Sequence, residues 1–195
     1  MSPSPSFRSA VRLVALLNLA YFAVEMTVAL RIGSVSLLAD SVDFFEDAAV
    51  NLLIFAALGW SATRRAKVGT VLAAILLAPA VAFVWTLWRK LGDPTPPEPL
   101  ALGVTGLGAL AVNLVCAFAL ARHRAAAGSL SKAAFLSARN DAIANIAIIA
   151  AGLLTALTRS IWPDIVAGLG IAIMNLDAAR AVWRAARKDA VEARA

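Results

Sequence analysis

The chain has 195 residues, 61 % of them hydrophobic, with a mean hydropathy of +0.80, more apolar sequence than a water-soluble core of this size uses. The formal net charge of +6 does not indicate nucleic acid, because the basic residues fall in short clusters between apolar runs and form no single patch. A lone cysteine, Cys116, excludes an intrachain disulfide and reads as a buried structural thiol, which leaves an all-α integral membrane protein of one domain.

Residues 1–10 are Ser/Pro-rich and are expected to be a disordered N-terminal tail. The apolar run after Arg12 is too long for a signal-peptide core and has no cleavage site behind it. Six transmembrane helices follow, each near the roughly 20 residues a bilayer requires. They are expected at 11–32, 35–60, 68–91, 100–121, 133–157 and 165–183. The links are the turn at Gly33, the basic loop SATRRAK, the Pro-rich break GDPTPPEP, the basic loop ARHRAAAGSLSK and the turn TRSIWPD. Residues 11–185 form the transmembrane domain and 186–195 a short cytoplasmic tail, with no C-terminal soluble domain expected.

Arg8, Arg12, Arg64, Arg65, Lys67, Arg122, Arg124, Lys132, Arg184, Arg187, Lys188 and Arg194 fall on one side of this layout; Arg31, Arg89, Lys90 and Arg159 fall on the other. The bias places both termini in the cytoplasm of a multi-pass protein, in the inner membrane if the cell is bacterial. The five tryptophans (Trp60, Trp85, Trp88, Trp162 and Trp183) lie at or near span ends, as an aromatic belt does.

The second span carries the chemistry. At about 100° per residue, Ser36, Asp40, Asp43, Asp47 and Asn51 share one narrow stripe. Asp40, Asp43, Glu46 and Asp47 put four carboxylates into eight residues, and intramembrane acids are expensive unless something compensates them. Asp43 and Asp47, one turn apart, repel each other unless a divalent cation or a shared proton lies between. Oxygen ligands suit hard or borderline ions. The fifth span offers Ser137, Asn140, Asp141 and Asn145; Ser137, Asp141 and Asn145 recur at i, i+4 and i+8. If Asp141 faces the stripe, three carboxylates converge, and a serine, an asparagine or a water completes a four-coordinate site. The competing reading is that the small polar residues only hold helices together. Arg139 lies about 160° around the helix from Asp141 and faces elsewhere, to snorkel or to pair with Glu46. Glu25 and Asn18 share a face of the first span and are candidates to line the same path, while Asp177 and Arg180 read as a local ion pair. His123, alone in a basic loop, reads as a surface residue. No nucleophile–base constellation or phosphate loop marks an enzyme.

The run NLAYFAVEMTVALRIGSVSLLADSVDFFEDAAVN resembles the first two spans of the cation diffusion facilitator (cation efflux) family, with its G-S-x-x-L-L-A-D stretch. There a His or Asp is followed four residues later by Asp, positions held here by Asp43 and Asp47. The family's fifth-span pair, usually His-x-x-x-Asp, aligns with Ser137 and Asp141, and WPDIVAGLGIAIMNLDAARAVW is similar to its sixth span. The resemblance implies a cation-efflux-like bundle, usually a homodimer, that exports a divalent metal such as Zn, Mn, Fe or Co from the cytoplasm against protons. The metal is cargo, and no cofactor is expected. It also implies a tetrahedral site near the midplane, between the second and fifth spans. Ser137 replaces the customary histidine and Asp43 stands where many zinc exporters have one, so the donor set shifts toward harder ions. The same loss, with the expected lack of a soluble domain, fits a non-transporting membrane subunit or metal-binding scaffold derived from such a transporter. A passive cation pore is the third reading.

Overall fold

The structure is a computed structural model that describes residues 5–57, 81–121 and 128–175, with side chains at 8–49, 51–52, 81–121 and 140–175. Six helices and no strand occur among the described residues: α1 Pro5–Ile32, α2 Val35–Ala57, α3 over 81–92, α4 Pro99–Ala121, α5 Gly128–Thr158 and α6 over 162–175. Outside them lie residues 58–80, both basic loops at 61–67 and 122–127 with His123, and 176–195 with Asp177, Arg180 and the expected tail.

Two helices start before the expected spans. α1 begins at Pro5, inside the segment expected to be a disordered tail, because proline is pre-organised for the first helical turn. α5 begins at Gly128, inside the expected loop; Ser129–Lys132 contain no helix breaker. Hydropathy marks the part of a helix that meets lipid, while helical extent depends on propensity and caps.

The α1–α2 turn is built by Gly33. Its φ of +62° places it in the left-handed region, which costs glycine little, and Ser34 N donates to Ala29 O at 2.9 Å. Ser34 then caps α2, its Oγ accepting from Leu37 N at 3.1 Å. Irregular backbone spans 93–98, where the Pro-rich break was expected. Glu98 closes it by accepting from Leu100 N and Ala101 N at the start of α4. α5 ends at Arg159 in left-handed backbone (φ 52°), with its N–H on Thr155 O.

Three described stretches are long and apolar enough to cross a membrane: Arg8–Ile32, Pro99–Ala121 and Asn140–Thr158. α2 has the length but carries four carboxylates. The distribution of side chains is inverted relative to a soluble protein. Leu16, Val24, Leu107, Phe118 and Leu157 face outward while Asn18, Glu25, Asp40 and Asn145 are fully buried. The core is made of Ala29, Leu37, Leu38, Leu102, Ala144, Ile148, Ala151 and Ile171, with alanines where helices cross closely. Val35, Ile161 and Ile165 form a second cluster that Phe83 and Leu87 of α3 cover. α1 lies along α2, α4 along α5, and α1 also meets α4, whereas α2 touches α5 over a short seam.

The starts of α2 and α6 approach so closely at Gly168 that a Cβ there would stand 2.9 Å from Ser36 N and from the carbonyl carbon of Val35. Backbone cannot yield as a flexible side chain does. Gly168→Ala is therefore expected to destabilise the protein by about 1–3 kcal/mol, as overpacking does, read as a lower thermal midpoint in detergent.

Candidate metal centre

The acidic stripe of α2 runs along the seam with α5, and its surroundings change along its length. At the Gly33 end, Ser36 is turned to α6. Asp164 is fully buried, and its Oδ1 accepts from Ser34 Oγ (2.7 Å), Ser36 Oγ (2.6 Å) and Ser36 N (3.1 Å), its Oδ2 from Val35 N (2.8 Å). With Ser34 on Leu37 N, the first three N–H groups of α2 are all satisfied, two of them by a carboxylate from another helix.

One turn further, Asp40 is 1 % exposed. Its Oδ2 accepts from Asn145 Nδ2 at 2.7 Å, and Asn145 Oδ1 accepts from Asn113 Nδ2 at 3.2 Å. This relay ties α2, α5 and α4 and uses both ends of the Asn145 side chain. Glu25 of α1 is also fully buried; its carboxyl group lies within hydrogen-bonding reach of that of Asp40, a pair that needs a shared proton, and Asp43 is a further charged neighbour. Asn18 lies two turns earlier on the same face of α1, its Oδ1 accepting from Cys116 Sγ at 3.5 Å and its Nδ2 without a partner among the described residues. Cys116 is a buried free thiol. Tyr21 donates to Thr105 O at 2.5 Å and packs on Phe44, 5.0 Å between ring centroids, which walls this region on the α4 side.

Beyond Asp40 the stripe opens. Asp43, Asp47 and Asp141 are each partly exposed. Asp43 has Asp40, Asp141 and Glu46 as charged neighbours and Asn175 of α6 beside it; Asp141 has Asp47 and Asp40. Acids of α2 and α5 thus lie within electrostatic reach of one another. They form no closed shell: among the described residues, no three of His, Cys, Asp and Glu stand close enough together to hold one ion. Glu46 is exposed and off the stripe. Asn51 turns its amide back onto Asp47 O at 2.8 Å. Asn140 is half-buried. The side chains of Ser137 and Arg139 lie outside the described residues.

Sequence reading missed Asp164 and Asn113. Asp164 directly after Pro163 reads as a cap of its own helix start, and the sequence carries no signal that it meets the N–H groups of α2 instead. Asn113 is the lone amide of an otherwise apolar helix, and such residues in membranes bond across helices.

Several carboxylates surround a partly accessible space, and one end of it is sealed by the Asp164 clamp. The profile of the family described as "Cation efflux transmembrane domain" matches residues 11–189. No curated protein matches the sequence.

Proposed function

The chain belongs to the cation efflux family, whose members carry metal cations across membranes, and on that premise we propose that it exports a divalent metal cation from the cytoplasm in exchange for protons. Asp43 and Asp47 of α2 and Asp141 of α5 become the ion's ligands when the α2–α5 gap closes, since in the arrangement described they stand too far apart to share one ion, and Ser137, Asn140 or water completes the shell. Asn145 is better read as a support, since its amide is engaged at both ends. Glu25, Asp40 and Asn18 line the sealed end of the same polar interior. Glu46 stays accessory at its rim. Both termini lie in the cytoplasm on the lysine and arginine bias, and the working unit is a homodimer.

The observation that carries this reading is the burial gradient along the stripe. Asp40 and Glu25 are closed off, whereas Asp43, Asp47 and Asp141 keep part of their surface uncovered. The open end leads toward the C-terminal end of α2, which precedes the basic segment Arg64–Lys67, so the ion enters from the cytoplasm. Protonation competes for the same oxygens that bind metal, which couples the two fluxes. Alternating access then moves the helices of one side of the site against the other.

Reconstitution into proteoliposomes tests the coupling. With the lumen one pH unit more acidic than the bath, about 1.4 kcal/mol is available per proton. Manganese or zinc should accumulate in the lumen, and a protonophore should abolish the accumulation. Equilibrium metal binding with no flux would assign the chain instead to the scaffold reading; flux indifferent to the pH gradient would assign it to a pore.

A further inference from the structure

At the end of the α1 span, away from the acidic stripe, a cavity of about 370 Å³ opens between the α1–α2 turn and α3. Three cations line it: Arg31 in the last turn of α1, and Arg89 and Lys90 in the last turn of α3. Asp93 is the one acid in the lining, and it already accepts from Thr95 Oγ1 at 3.0 Å. Lys90 is 6 % exposed and its Nζ donates to Thr95 O at 2.8 Å. It stands directly over the turn, where a Cβ on Gly33 would lie 3.5 Å from it. Arg31 and Arg89 make no ion pair among the described residues, and both are exposed.

Asp93 and the buried Asp164 are the carboxylates near Lys90, whereas Arg31 has only the C-terminal dipole of α1 as partial compensation. The neighbouring N-terminus of α2 offers no site for an anion, since Asp164 already occupies its free N–H groups. The surplus positive charge therefore rests on the two exposed guanidinium groups at the cavity, Arg31 and Arg89. Guanidinium forks match phosphate oxygens bidentately, and a buried lysine behind them adds a point charge. The surroundings are those of the bilayer boundary: Trp85 and Trp88 are 62 % and 75 % exposed, and Leu30 and Val84 extend the apolar wall below.

We propose that this cavity binds the phosphate of an anionic phospholipid headgroup, with Arg31 and Arg89 gripping the phosphate oxygens, Lys90 behind them and the acyl chains running down past Trp85 and Val84. The site is independent of the metal centre and holds whether or not the chain transports. Free inorganic phosphate shares the chemistry, and the test separates the two sources.

The full chain, purified in detergent, is subjected to thermal unfolding and native mass spectrometry with short-chain phosphatidylglycerol, short-chain phosphatidylcholine or inorganic phosphate. Phosphatidylglycerol should raise the midpoint and stay bound, and phosphatidylcholine should do neither. Arg31→Ala/Arg89→Ala should retain phosphatidylglycerol about thirtyfold less well, given the usual contribution of each basic residue near anionic lipid. Arg31→Lys/Arg89→Lys, which keeps charge but loses the forks, should fall between. Both positions are exposed, so the lipid-free midpoints of the variants should match the parent's. An equal midpoint shift from inorganic phosphate would keep the phosphate site and assign it to the free ion. Equal retention by parent and double-alanine variant, or equal retention of the two lipids, would overturn the proposal.

Discussion

Asp47→Ala is expected to reduce pH-driven metal uptake into proteoliposomes by about 100-fold or more, since replacing even the outer partners of a metal site costs 10–100-fold. Asp47 is the α2 acid that acts most strongly on Asp141 of α5, ahead of Asp40, so its loss removes the main carboxylate across the inter-helix seam. The protein itself should survive. Asp47 is partly exposed, and its removal relieves repulsion with Asp141. A midpoint equal to or above the parent's, combined with lost uptake, separates a binding role from a folding role. Asp47→Asn, which keeps the shape and one oxygen but no charge, should also lose proton-driven uptake. Uptake by Asp47→Ala at the parental rate would remove the metal assignment from this cluster altogether.

The second large effect is expected on stability. Asp164→Ala removes the acceptor of two serine hydroxyls and two backbone N–H groups at the start of α2. All four lie in a buried region, and each stranded donor carries a desolvation cost of its own. The expected loss is about 3–5 kcal/mol, the range seen when a buried charged partner is deleted. Read by unfolding in mixed micelles, the variant should lose most of its folded population near ambient temperature, where the parent is intact. Asp164→Asn should lie between, because its amide oxygen still accepts while its NH₂ meets donors. A midpoint for Asp164→Ala within a few degrees of the parent's would show that water replaces the carboxylate and that the clamp is incidental.

Patterns internal to one helix are legible in the amino-acid sequence. The spacing of Asp40, Asp43 and Asp47 fixes which residues share a face, because a helix has one period. Apolar runs locate the spans for the same reason. What involves two helices is not legible there. Nothing local to α2 says that its N-terminal N–H groups meet Asp164, 128 to 130 residues away along the chain. Ser36 shares the acidic stripe by spacing but is committed to that clamp. Asn145 has the spacing of a ligand but is held between Asp40 and Asn113. The helix starts at Pro5 and Gly128 escape a hydropathy reading because hydropathy is silent about polar turns that remain helical.

The thin contact between α2 and α5 has a mechanical meaning. Each is fastened to its own partner, α1 or α4, along most of its length, while the two face each other across a few points only. A small slip between the hairpins would stretch or close the gap between Asp47 and Asp141 without prying apart either pair. On the proposed assignment, the width of that thin seam, beside the broader α1–α4 contact, sets how tightly a captured ion is gripped.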